Sequence, residues 1–71
     1  MSTSTVPPIR RYFDYDHLPF PLGLVSLQFA EVADWLIDAL PPGPETTVAL
    51  RKLLESKDAA VRAALDIKEI A

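Results

Sequence analysis

The chain has 71 residues, a formal net charge of −3 and no cysteine, and hydrophobic residues make up 49% of it. A chain of this length forms one domain at most. The lack of cysteine excludes disulfides and thiolate zinc sites, and the single histidine, His17, cannot assemble a histidine-rich metal site. The acidic balance argues against duplex nucleic acid as a partner, since binding such a polyanion relies on a basic surface.

A hydrophobic core of this size is marginal by itself, and small domains are usually reinforced by disulfides, a metal or oligomerisation. Because the first two are excluded, the composition favours a homo-oligomer. No apolar run approaches the length of a transmembrane helix, and the start "MSTSTVPP" lacks the pattern of a signal peptide. We therefore expect a protein that is not bound to a membrane and resides in the cytoplasm.

The N-terminal part of the chain divides into a polar segment and an aromatic segment. Residues 1–10 are rich in Ser, Thr and Pro and are predicted to be a disordered lead-in to a single domain over 11–71. The following stretch "RYFDYDHLP" concentrates rings and charges, and Pro19 and Pro21 argue against a continuous helix there. Short helical turns and an extended arm are both compatible with this segment.

Two helices are predicted after the aromatic segment. Apolar residues at spacings of three and four predict a helix over about 23–40 with one apolar stripe, made of Val25, Phe29, Val32, Leu36 and Ala39 or Leu40. The breaker "PPGP" at 41–44 ends it, because prolines cannot continue a helix and Gly43 permits a reversal.

The second predicted helix covers about 45–69, where no internal Gly or Pro occurs. Pro44 and Glu45 suit its first turn, and Arg51 with Glu55 and Asp58 with Arg62 form i,i+4 pairs. A connection of four residues makes the helices antiparallel neighbours. The expected fold is therefore an all-α, antiparallel two-helix hairpin preceded by a short aromatic arm. The apolar band of the second helix is wider than one partner needs, which again indicates other subunits.

Lys57 and Thr47 are two candidate ligand-binding residues on the second helix. Lys57 lies on the apolar stripe between Leu54 and Val61, where a charge is costly unless it reaches water or an anion. It is either a lysine that extends to the solvent and sets register, or an anion contact between subunits. Thr46 and Thr47 open the helix, where unpaired N–H groups favour anions, and ordinary capping is the alternative role.

The aromatic segment offers rings that can stack on a planar base, with Arg10 and Arg11 beside them for phosphate. The alternative is that these rings pack over the hairpin or a neighbouring subunit, which we favour for Phe13. Tyr12 and Tyr15 lie at other offsets and stay candidates for ligand contact.

The sequence contains no nucleophile–base pattern, P-loop or glycine-rich fingerprint, so we expect a protein that is not an enzyme and needs no cofactor. His17 beside Asp16 is interpreted as a structural hydrogen-bonding residue rather than a catalytic base. Asp34 and Asp38 form a solvated helix face, and Trp35 is interpreted as an interface anchor.

One family resemblance extends over roughly Arg11–Leu65. The arm "YFDYDHLP" and the later stretch "LPPGPETTVALRKLLESKDAAVRAAL" resemble the small helical-hairpin proteins of bacteriophages that act as anti-CBASS and anti-Thoeris sponges. The clearest shared element is a breaker followed by a Glu, a Ser or Thr, "AL" and "KLLE" with a small residue. In this chain it consists of Pro44, Glu45, Thr47, Ala49, Leu50, Lys52, Leu53, Leu54, Glu55 and Ser56.

The resemblance implies a compact homo-oligomer, commonly a hexamer, that binds cyclic di- or trinucleotides or cyclic ADP-ribose-type signals without cleaving them. Host immune effectors would thereby lose their activator. Carried over by position, Tyr12 or Tyr15 would stack on a base, and Lys57, Arg51 or Arg62 would contact phosphate. The alternative function is a small helical module or inhibitor that docks on a host protein, which needs only exposed apolar surface.

Overall fold

Two long helices and one short 3-10 helix make up most of the computed structural model, which describes residues 6–66. The 3-10 helix spans Pro8–Phe13, and the two α-helices span Leu22–Ala39 (α1) and Pro44–Ala64 (α2). Helices account for 74% of the described residues, none of which forms a strand, and α1 and α2 pack together. The prediction of an all-α fold with two packed helices is thus confirmed.

Prolines set the connection between the two long helices. Leu40 still donates its N–H to the carbonyl of Leu36 at 2.9 Å, but its extended backbone is the conformation that a following proline requires. Pro44 occupies the first turn of α2, where its missing N–H costs nothing. Gly43 has a φ of 164°, which is extended backbone open to any residue. The reversal therefore depends on the prolines and does not use the conformational freedom of glycine.

The ends of the structured region differ from the predicted ones. The lead-in was predicted to reach residue 10, whereas the 3-10 helix already begins at Pro8, since a proline suits a first helical turn. The second helix was predicted to reach about 69, whereas α2 ends at Ala64 and residues 65–66 form a turn. Leu65 shares its N–H between the carbonyls of Val61 and Arg62, as happens where a last turn tightens. The predicted stretch 67–69 lies outside the described residues.

The core is small and is formed by all three helices. Its buried residues are Phe13 from the 3-10 helix, Ala30 and Ala33 from α1, and Leu50 from α2. Burial of Phe13 confirms the packing role that was favoured for this ring. Around these lie partly buried apolar side chains from each helix: Ile9, Tyr15, Phe29, Leu36, Ile37, Leu53 and Leu54.

The face that α1 turns to the core differs from the predicted stripe. Ser26, Ala30 and Ala33 are its buried residues, while Phe29 and Leu36 flank the core and Val32 is exposed. At 3.6 residues per turn, the centre of the buried face lies about 100° around the helix axis from the centre of the predicted stripe. The physical reason is size, because small residues at the contact let α2 and Phe13 approach the α1 backbone closely. Large side chains at these positions would hold the helices apart.

Arg10 and Gly23 fix the N-terminal segment to the hairpin. Arg10 donates from Nε and Nη2 to the carboxylate of Asp34, the second contact measuring 3.1 Å, and from Nη1 to Asp14 at 3.1 Å. The hydrogen bond to Asp34 holds the pKa of Arg10 above its ordinary value, and the same bond lowers the pKa of Asp34. A Cβ at Gly23 would lie only 3.1 Å from the carbonyl oxygen of Leu18. Glycine at this position therefore lets the loop 14–19 lie against the start of α1.

One structural observation bears on the prediction about membranes. Within residues 6–66, neither long helix combines the length and the apolar character that crossing a bilayer requires.

Candidate functional site

A cleft of about 450 Å³ lies between the N-terminal segment and the C-terminal half of α2. One wall comes from the end of the 3-10 helix and the loop after it, and the other comes from fewer than two turns of α2. The side chains that line the cleft are Arg11, Tyr12, His17, Leu18, Lys57, Asp58, Val61 and Arg62. It thus brings together three of the predicted site residues, namely Tyr12, Lys57 and Arg62.

Tyr12 supplies an accessible ring to this cleft. It is 54% exposed, in contrast to its neighbour Phe13, which is buried in the core. The guanidinium carbon of Arg11 lies 5.1 Å from the centroid of the ring, and Arg11 Nη2 donates to the Tyr12 hydroxyl at 3.2 Å. That hydrogen bond raises the pKa of Arg11. The guanidinium therefore lies toward the hydroxyl end of the ring, and ring surface is left for a ligand.

Lys57 reaches the cleft from a largely buried position. Its side chain is only 12% exposed, and Nζ contacts Asp58 Oδ1 at 3.1 Å. The aliphatic part is thus largely buried while the ammonium group reaches the lining of the cleft, as long cationic side chains do at the edge of apolar surface. An ammonium has three N–H donors, so the Asp58 contact leaves donors for an anion.

The cleft is positively charged on an acidic protein. Arg11, Lys57 and Arg62 supply three positive charges against the one carboxylate of Asp58, so the lining carries a formal charge of +2 with His17 neutral. The whole chain carries −3. Cations concentrated in one concave site raise the local concentration of small anions even when the protein as a whole is acidic. This arrangement fits a small anion with a planar group and does not fit a long polyanion.

The other three predicted site residues lie elsewhere. Tyr15 packs against the core cluster, so its ring contributes to folding. Arg51 is exposed on α2, about 16 Å along the helix axis from Arg62 at 1.5 Å per residue. Glu55, its predicted i,i+4 partner, instead contacts Lys52 at 3.6 Å. Neither Tyr15 nor Arg51 is among the residues that line the cleft.

Thr47 belongs to a second cleft, which is apolar and has a volume of about 430 Å³. This cleft lies where the start of the 3-10 helix meets the connection between α1 and α2. Thr47 donates its hydroxyl to the carbonyl of Gly43 at 3.0 Å, and Thr46 donates to that of Pro41 at 2.7 Å. Both hydroxyls thus donate to carbonyls of the connection between the helices, whereas a capping hydroxyl accepts an N–H of the first turn, so their role differs from the predicted capping. The residues that line this second cleft are Pro7, Pro8, Ile9, Ile37, Leu40, Pro42, Gly43, Thr46, Thr47 and Leu50.

Sequence reasoning missed two features of this region. Arg10 was a candidate for phosphate, yet the structure uses it to bind Asp34 across 24 positions of sequence, a separation that no local pattern reveals. Asp58 and His17 were not predicted to line a ligand site, although Asp58 directly follows Lys57. The position of Lys57 on an apolar stripe was the signal in the sequence that could locate the cleft.

Comparison of the chain with protein-family models, curated proteins and solved structures finds no match.

Proposed function

We propose that this protein is a non-catalytic binding protein that sequesters a cyclic nucleotide immune signal of the di-, trinucleotide or cyclic ADP-ribose type. The observation that carries the proposal is the joining of one exposed tyrosine ring and three cationic side chains in a single cleft of about 450 Å³. Sites for small molecules are commonly about 300–1,000 Å³, so the volume suits a nucleotide-sized ligand. The sequence resemblance to phage anti-CBASS and anti-Thoeris sponges supports the same function.

Different lining residues bind different parts of the ligand in this proposal. Tyr12 offers a ring on which a base can stack, an interaction that tolerates any base. Arg11 and Arg62 present planar guanidinium groups that suit phosphate oxygens, and Lys57 adds a compact positive charge. Asp58 accepts hydrogen bonds from the donors of a base edge. Each group binds or orients the ligand, and none acts on a bond of the ligand.

A neighbouring subunit completes the site in this proposal. Tyr12 is more than half exposed, so one side of the cleft faces solvent. A second copy placed over this side would bury the ring and raise the strength of each ionic contact, because the local dielectric falls. We therefore propose a homo-oligomer, with the hexamer of the resembling phage proteins as its model, acting in the cytoplasm of a bacterial host.

Isothermal titration calorimetry with a panel of cyclic dinucleotides, cyclic trinucleotides and cyclic ADP-ribose compounds tests the proposal. At least one ligand should bind, and at 100 times its Kd it should stabilise the fold by about 2.7 kcal/mol in a melting experiment. The affinity should fall as salt is added, because the contacts with the ligand are ionic. Chromatography of the mixture should return the ligand chemically intact.

Matched substitutions on α2 locate the site. Lys57→Gln should weaken binding about tenfold or more, because it removes a charged contact worth about 1.5–3 kcal/mol. Lys52→Gln is the control, since Lys52 lies on the same helix, is well exposed and contacts only Glu55. Tyr12→Ala should weaken binding, whereas Tyr12→Phe retains the stacking surface. A panel without any binding, or equal losses for both lysine variants, would refute the proposal.

A second candidate function is docking on a host protein as an inhibitor, and the apolar cleft favours it. Ile37, Leu40 and Leu50 line that cleft with few polar groups, which suits an apolar side chain of a partner. Leu40 lies at its exposed rim, so Leu40→Asp should abolish host-protein binding while leaving nucleotide binding intact. The opposite pattern, with loss only in Lys57→Gln, supports sequestration.

A further inference from the structure

The outer face of α1 is apolar and opposite to the core. Leu24, Val32 and Trp35 lie within an arc of about 80° on this helix, at 3.6 residues per turn. All three are exposed, Trp35 by 65%. The buried residues Ser26, Ala30 and Ala33 lie on the other side of the helix axis. Packing among residues 6–66 therefore leaves this face uncovered.

We infer that the outer face of α1 pairs with the same face of a second copy of this chain, with the two helices antiparallel. The inference rests on the self-association in the proposed function and adds a second interface to the one that covers the cleft. The cleft is formed by the N-terminal segment and α2, so ligand binding and this pairing use different surfaces.

The order of residues along the arc favours a second copy as the occupant. Read along α1, the exposed residues of the arc are Leu24, Gln28, Val32, Trp35 and Ala39, and Glu31 lies about 20° outside it. In an antiparallel pair centred between positions 31 and 32, Leu24 faces Ala39 of the partner subunit and Trp35 faces Gln28 of the partner subunit. Large side chains thus meet smaller ones at both ends, and Val32 lies within one residue of its own copy beside the two-fold axis. Such self-complementarity is what a symmetric interface requires.

The available area also suits a small dimer. α1 has 18 residues, so it is about 27 Å long and presents a face about 10 Å wide. Leu24, Val32 and Trp35 supply about 300 Å² of apolar surface, a size at which exposed patches on single chains are often functional. With the polar residues between them, two copies bury about 1,000 Å², near the lower limit for a specific interface. We therefore expect dissociation in the micromolar range.

Charge at the axis provides a distinctive signature of this pairing. Glu31 lies beside Val32, so the two-fold axis brings Glu31 of each copy near its equivalent. Like charges at this distance weaken the pair, and removing them strengthens it. Glu31→Gln should therefore tighten self-association about two- to fivefold, an effect of the size of a partly exposed ionic contact. Added salt should likewise tighten self-association, because it screens the repulsion between the two carboxylates.

The test uses sedimentation equilibrium together with fluorescence of Trp35, the only tryptophan of the chain. As the concentration of the full chain rises through the micromolar range, the mass should increase, the emission should shift to shorter wavelength, and quenching by acrylamide should decrease. Val32→Glu should raise the dissociation constant at least about tenfold, because it places two carboxylates in the centre of an apolar contact. Circular dichroism of each variant establishes that it is folded.

Val48→Glu is the matched control, since Val48 is 41% exposed against 46% for Val32 and lies on α2. The expected result is weakened association for Val32→Glu, tightened association for Glu31→Gln and no change for Val48→Glu. Self-association that persists in Val32→Glu with Trp35 still exposed to quencher overturns the inference and leaves the proposed function standing. Nucleotide binding that Val32→Glu retains after losing this pairing supports the separation of the two surfaces.

Discussion

Phe13 is expected to hold the N-terminal segment and the hairpin together as one cooperative unit. Its ring is fully buried among Ala30, Ala33 and Leu50, so Phe13→Ala removes the largest side chain of the core. Such truncations cost about 3–5 kcal/mol, including the cavity that is left. A domain of this length has about 4–11 kcal/mol of total stability at 0.05–0.15 kcal/mol per residue. The substitution therefore removes a large part of the free energy of unfolding.

Urea denaturation followed by circular dichroism at a fixed protein concentration measures this effect. With an m-value of about 1 kcal/mol per M, the midpoint should fall by about 3 M or more. Tyr12→Ala is the control, because the neighbouring ring is exposed and its removal should shift the midpoint only slightly. A Phe13→Ala variant with the midpoint and helix content of the unaltered chain would show that the hairpin is stable without the N-terminal segment, and the reasoning would be refuted.

Two further predictions concern polar groups. Arg10 lowers the pKa of Asp34, so the contribution of the pair to stability is present above the ordinary value of 3.8 and is lost as the pH falls below it. Since Asp34 is well exposed, Asp34→Asn should cost about 1 kcal/mol or less at pH 7 and nothing at pH 2, as compared by urea midpoints. Within residues 6–66, the buried Ser26 hydroxyl has no hydrogen-bond partner, so Ser26→Ala should raise stability by about 1 kcal/mol. A lower thermal midpoint for Ser26→Ala would contradict that reasoning.

Features that depend on local chemistry were predictable from the sequence. Pro41, Pro42 and Pro44 end one helix and start the next because of their own backbone geometry, so the breaker was located to within one residue. The burial of Phe13 followed from its size and its position beside a short hairpin. Lys57 was marked as a ligand candidate because a charge on an apolar stripe conflicts with burial, and it does reach a cationic cleft.

Features that depend on tertiary contacts were not predictable in the same way. α1 carries apolar residues around most of its circumference, so periodicity alone could not select the face that packs on α2. The preference for a face with Ala30 and Ala33 emerges only when a second helix and the Phe13 ring must share the same space. The contact of Arg10 with Asp34 and the meeting of Tyr12 with Arg62 likewise join segments that are distant in sequence.

The small residues on the inner face of α1 explain why so short a chain exposes large apolar side chains. Close approach at Ala30 and Ala33 gives tight packing, but it leaves room inside for few large side chains, and Phe13 and Leu50 occupy it. Other large side chains of α1, including Trp35, then lie on the outer face. The same packing that makes a core possible in 71 residues thus creates a surface that gains free energy when it is covered. Because the cationic cleft lies on α2 and the N-terminal segment, substitutions in the cleft leave that surface unaltered.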